Sequence, residues 1–140
     1  MKNSFELVHV GINTPNAGEA AKLAELLSMM FNLNPRHGKK SEFAGNYFEC
    51  MKAPFLGTNG HIAMQTADLD AAVEELKEKG FTFNMDTAAY DENGGLKNVY
   101  LDGEYGGFAI HILRKYGATL WLIPKRMRLR CLSARHFSSR

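Results

Sequence analysis

Residues 5–113 predict an α+β domain built of two βαβββ modules whose strands join in one cupped, mixed sheet. Three observations carry that expectation. The stretch VHVGINT at 8–14 returns at 60–66 as GHIAMQT, with His, aliphatic, small, apolar, amide and Thr in the same order, which marks an internal repeat. Each copy is followed by a stretch with apolar residues at helical spacing, and each such stretch by three short strand-like runs. A chain of 140 residues is long enough to bury a core of this kind without disulfides or a structural metal.

The elements follow in order. In the first strand Val8, Val10 and Ile12 point one way, while Leu7, His9 and Gly11 point the other. Asn16 caps the first helix, with Glu19 three positions on, and Ala20, Leu23, Ala24, Leu27 and Phe31 trace its apolar stripe. Met29, Met30 and Phe31 at its end read as core packing. Strands are expected over 36–40, 41–44 and 47–52, the last setting Phe48 and Cys50 opposite Tyr47, Glu49 and Met51. In the second module Ile62 and Met64 oppose His61, Ala63 and Gln65, Asp68 caps a helix carrying Leu69, Ala72, Val73 and Leu76, and Gly80 ends it. Strands over 81–84, 96–101 and 107–113 complete the plan. The segment DTAAYDENGGLKN reads as a longer insertion whose Asn-Gly-Gly makes a turn or tips a hairpin. In the final run Phe108, Ile110 and Ile112 oppose Ala109, His111 and Leu113.

The aliphatic face of each strand suits a helix, and the other face suits a cavity wall. On that second face, in the first and last strand of each module, stand His9, Glu49, His61 and His111, with His9 matching His61 and Glu49 matching His111. A single strand histidine is more often a hydrogen-bonded core or surface residue than a ligand, but matched positions of one parity set these apart. Such groups gathered at one cavity would repel or go unsatisfied, and a divalent metal ion (Zn, Ni, Mn or Fe) resolves the conflict. Tyr47, Met51 and Gln65 are candidates to bind substrate beside it, with Tyr90 reaching in from the insertion as a lid. His37, between Arg36 and Lys39, reads as a solvated edge residue, and no glycine-rich phosphate loop is present.

With these residues in place, residues 5–113 resemble the vicinal oxygen chelate superfamily, the glyoxalase and bleomycin-resistance fold. More narrowly, FELVHVGINT, FAGNYFECMKAPFLGTNGHIAMQT and GGFAIHIL resemble the chelate-type domain at the C-terminus of some bacterial keto-deoxy-phosphogluconate aldolases, without an aldolase lysine. The resemblance implies His9, Glu49, His61 and His111 as metal ligands and a lyase or isomerase working through a metal-stabilised enolate. His111 stands where many metal-dependent members carry a second carboxylate, which removes the convenient base of the glyoxalase reaction. A non-catalytic small-molecule binding protein, or a stand-alone regulatory domain, is the alternative. Members of such folds commonly pair, so a homodimer is expected.

Charge divides the chain. Residues 1–113 hold 9 basic and 15 acidic residues, a balance of 9 − 15 = −6, whereas 114–140 hold 8 basic residues and no acid. The tail is expected to be a basic extension, or a segment foreign to the domain, with the boundary near Arg114; it has no nucleic-acid-binding motif. Two cysteines, Cys50 and Cys131, make no disulfide framework, and with no long apolar run or signal-peptide core a cytoplasmic protein without membrane contact is expected.

Overall fold

In a computed structural model of the chain, residues 2–117 are described. The tail from 118 on, with Cys131 and His136, lies outside the described residues. The order is β1 (Glu6–Asn13), α1 (Ala17–Phe31), β2 (Pro35–His37), β3 (Ser41–Ala44), β4 (Phe48–Met51), β5 (Gly60–Thr66), α2 (Leu69–Glu78), β6 (Phe83–Tyr90), β7 (Leu96–Leu101) and β8 (Phe108–Arg114). The α+β class and both βαβββ modules are as the sequence predicts.

All eight strands form one sheet in the order β2-β3-β4-β1-β5-β8-β7-β6. The first strand of each module lies parallel to its fourth, β1 with β4 and β5 with β8, and β1 joins β5 antiparallel at the centre. The duplication extends to register. Glu49 lies across from Gly11, two residues beyond His9, and His111 lies across from Ala63, two residues beyond His61.

Both helices start as expected, the Asn16 side chain accepting from the Glu19 amide and that of Asp68 from the Ala71 amide. Under α1 pack Ala44, Phe48 and Cys50 against Ala20 and Ala24; under α2, Val99, Ile110 and Ile112 against Leu69 and Val73. These strand residues have opposite parity to Glu49 and His111, so the helices cover one face of the sheet and leave the other free. Burial pushes the Cys50 thiol up to about 11, with Glu42 and Glu49 adding to it, so it stays a protonated packing group.

Four expectations need correction. The buried line of α1 runs through Ala20, Ala24 and Ser28, spaced four apart; Met29 and Met30 are turned off it, and with Phe31 they are exposed at 70%, 61% and 59% rather than packed in the core. β2 stops at His37, and residues 38–40 form a turn closed by the Gly38 amide donating to the Ser41 carbonyl. β4 begins only at Phe48, because Gly45 at φ 60 turns the chain, leaving Tyr47 in the turn. The strand expected over 81–84 is β6, which starts at Phe83 and runs on to Tyr90, so most of the segment read as an insertion is a hairpin, one of the two readings of its Asn-Gly-Gly; the register slips between Asn84 and Ala89.

Residues 52–59 cross from the first module to the second. Asn13 holds them on one side, its Nδ2 donating to the Gly57 carbonyl at 2.8 Å, and the Asn59 amide donates to Gly107 on the other. From the end of β8 the chain stays attached: Arg114 pairs with Asp70, Lys115 with Glu6, and the Tyr116 hydroxyl donates to Asp91. No helix among the described residues is long and apolar enough to cross a membrane.

Leu69 is fully buried at the centre of the α2 core. Leu69→Ala is expected to destabilise the fold by about 2–5 kcal/mol, read as a lower midpoint in urea with an unchanged slope.

Candidate metal centre

The free face of the sheet carries a cavity of about 770 Å³, a size suited to a small molecule. His9, Glu49, His61 and His111 all line it. β1 contributes His9, β4 contributes Glu49 and β5 contributes His61, and register alone makes them neighbours. Gly11 lies across from both Glu49 and His61, so the three surround a position with no side chain. That vacancy is required: a Cβ on Gly11 would stand 2.1 Å from His61 Cε1.

Three donor atoms converge. His9 Nε2 lies 2.8 Å from Glu49 Oε2 and 3.0 Å from His61 Nε2, and His61 Nε2 lies 3.4 Å from Glu49 Oε2. Ligand atoms about 2.0–2.1 Å from one ion, at angles between octahedral and tetrahedral, are about 3–3.4 Å apart, so the triangle has the right size. Protons alone serve it badly. A proton on either Nε2 serves only the edges that meet there, and the opposite edge then sets a lone pair against a carboxylate oxygen; protonating both rings sets N–H against N–H. A divalent cation is bound by all three lone pairs at once. The residues present therefore fit a metal ion.

Glu49 is held ready for it. The Ser41 hydroxyl donates to Oε1 at 2.6 Å, leaving Oε2 for the triangle. Burial raises the carboxyl and is the largest single influence, but hydrogen bonds from His61, His9 and Ser41 outweigh it together and hold the group well below the usual carboxylate range.

His111 is placed differently. It lies outside the tight triangle, its ring stacked on Tyr100 at 4.4 Å between centroids and 6.2 Å from the His61 ring. Burial, with His61 and His9 nearby, pushes it down to about 4 against the opposing pull of Glu49, so the ring is neutral. Both its nitrogens are buried without a partner, as is His61 Nδ1. Such groups call for a ligand or water.

Of the remaining sequence candidates, Met51 lines the cavity. Tyr47, carried off in the β3–β4 turn, faces a separate hollow with Asn32, Leu33 and Arg36. Gln65 has the parity of His61 but lies two pairs further along β5, where its amide donates to Glu6. Tyr90 ends β6, 58% exposed, beside the hairpin tip and away from the cavity. Sequence reasoning missed Tyr100, buried at 7%, and Phe43; each lies across from a candidate ligand, His111 and Glu49 respectively. Alternation along β7 was the available signal, since Val99 on the core side places Tyr100 on the other. Burial, with Glu49 adding, pushes the Tyr100 hydroxyl up to about 12.

No family model matches the sequence, and no curated protein matches it. Solved structures do share its fold. A hypothetical protein from Bacillus halodurans superposes with a TM-score of 0.56 at 16% identity, covering 80% of this chain and 95% of that one. The methylmalonyl-CoA epimerase of Mycobacterium tuberculosis gives 0.54 at 18% identity, covering 84% and 91%. That of Streptomyces coelicolor, in complex with 2-nitronate-propionyl-CoA, gives 0.54 at 14%, covering 81% and 100%. The chain has the vicinal oxygen chelate fold that its sequence resembles. At these identities the likeness is one of fold.

Two outcomes follow from the geometry. Gly11→Ala is expected to drive the His61 ring from its place and cost about 1–3 kcal/mol, read by thermal unfolding together with a shift of the His61 imidazole resonances in NMR spectra. In the metal-free protein the unfolded chain protonates His111 near its ordinary 6.5 and the folded chain only near 4. The stability contributed by the neutral ring is thus complete above about pH 6.5 and is lost as pH falls toward 4; His111→Phe should flatten melting temperature against pH in that window.

Proposed function

We propose that His9, Glu49 and His61 bind a divalent metal ion at the base of the cavity, and that the protein is a lyase or isomerase for a small substrate with two adjacent oxygens. The convergence of the three donor atoms within 3.4 Å of one another carries this reading. A bound ion there would act as a Lewis acid toward the substrate oxygens and favour an enolate-like charge distribution. With one carboxylate and two neutral imidazoles the ion keeps a formal charge near +1, which suits an anionic substrate. Ser41 fixes Glu49, Gly11 leaves room for His61, and Tyr100 holds the His111 ring by stacking.

His111 is proposed as the group that takes a proton from the substrate carbon, on whichever ring nitrogen faces it: it lines the cavity, and both nitrogens are unengaged among the described residues. The epimerases of the same fold support chemistry at a carbon next to a carbonyl. An imidazole where the resemblance leads one to expect a carboxylate is what favours the second reading, a protein that binds such a molecule without transforming it.

Metal analysis of purified protein should give about one ion per chain, lost in His61→Ala and retained in His111→Phe; loss in both would restore His111 as a fourth ligand. Negligible metal, even after incubation with Zn, Ni, Mn or Fe(II) salts, would end the reading. In D2O the metal-loaded protein is expected to exchange the carbon-bound hydrogen next to the carbonyl of a 2-oxo acid, and His111→Phe to slow this about 100-fold or more. A 2-oxo acid that binds and never exchanges would favour the binding protein.

A further inference from the structure

We propose that the natural ligand is a small dianion, held at one end by the metal centre and at the other by a second acidic group, carboxylate or phosphate, on Lys39 and Lys40. The inference rests on the proposed chelation at the base and names the substrate class for that same cavity.

Charge reverses at the cavity. Residues 1–113 have 9 basic and 15 acidic side chains, yet the cavity is lined by Lys39, Lys40 and Lys52 against the single carboxylate of Glu49. Three of nine cations with one of fifteen anions is a concentration opposed to the trend of the domain around it. Glu49 is already engaged by Ser41, His9 and His61. Lys52 is engaged too, its Nζ donating to the Gly38 carbonyl at 2.8 Å and lying 3.4 Å from Glu42, which also pairs with His37. Lys39 and Lys40 have no such partner among the described residues, and both are exposed at the mouth.

Their backbone is nevertheless fixed. Gly38 donates to Ser41 at 2.9 Å, the Lys52 amide donates to the Lys40 carbonyl at 3.0 Å, and the Lys52 ammonium closes onto Gly38. Two ammonium groups unpaired among the described residues are thus presented from a braced turn, an arrangement that lowers the ordering cost of gripping an anion. Phe43, Met51 and Phe55 also line the cavity, and apolar walls suit a short carbon skeleton. The unpartnered nitrogens of His111 independently call for a polar ligand or water inside.

The test uses matched pairs of 2-oxo acids on the metal-loaded full chain: 2-oxopentanedioate against 2-oxopentanoate and the next longer homologues, followed by calorimetry at low and high salt. A parallel pair, 3-phosphoglycerate against glycerate, reads whether phosphate replaces carboxylate. The doubly charged member of a pair should bind about tenfold tighter or more, the preference should shrink with salt, and Lys39→Ala/Lys40→Ala should abolish it while keeping metal content and melting temperature. No preference in any pair, or one that survives the double substitution, overturns the proposal. Stripping the metal should weaken both members of a pair equally; a charge preference that persists when stripping changes nothing would refute the chelation and leave the lysine grip standing.

Discussion

The antiparallel pairing of β1 with β5 is the constraint on which the centre depends. Each module alone supplies one histidine on its first strand and one further group on its last, too few to hold an ion. Joining the modules edge to edge at β1 and β5 sets His9 across from Ala63 and Gly11 across from His61, so the imidazoles project side by side over small residues. A slip of one residue would turn one module's groups to the helix side. What fixes that register is the buried aliphatic face beneath, where α1 and α2 sit on residues of the opposite parity.

Much of this was legible in the sequence, and the reasons are particular. The repeat around His9 and His61 and the alternation in 47–52 and 107–113 placed Glu49 and His111 on the cavity face, because a two-residue period has only two outcomes. Alternation says which face, not which neighbour a side chain turns to, and so Gln65, which donates to Glu6, was expected in a cavity it does not line. It also fails wherever the chain leaves regular geometry. The slipped register of β6 hid how far that strand runs past Asn84, and the turn at Gly45 removed Tyr47 from the cavity. The lysines at 39 and 40 were assigned to a strand that ends before them, which concealed their place at the mouth.

The duplicated halves are alike in backbone and unlike in chemistry. Glu49 and His111 occupy equivalent positions, each opposed by an aromatic residue on the neighbouring strand, Phe43 and Tyr100. Ser41 ties the carboxylate into the triangle, whereas stacking on Tyr100 holds the imidazole out of it. One half thus contributes a charge committed to the centre, and the other contributes a neutral ring with free nitrogens. A symmetrical scaffold thus carries an asymmetrical set of groups.

The segment 52–59 both spans the two modules and supplies Lys52, Ala53, Pro54 and Phe55 to the cavity wall. With Gly57 tied to Asn13 and Asn59 to Gly107, it has little slack. Lengthening or shortening it by even one residue would change the width of the pocket and the strain across the central seam together. Evolution can repaint the chamber by substitution here, but it cannot resize the chamber without also re-hanging the two halves.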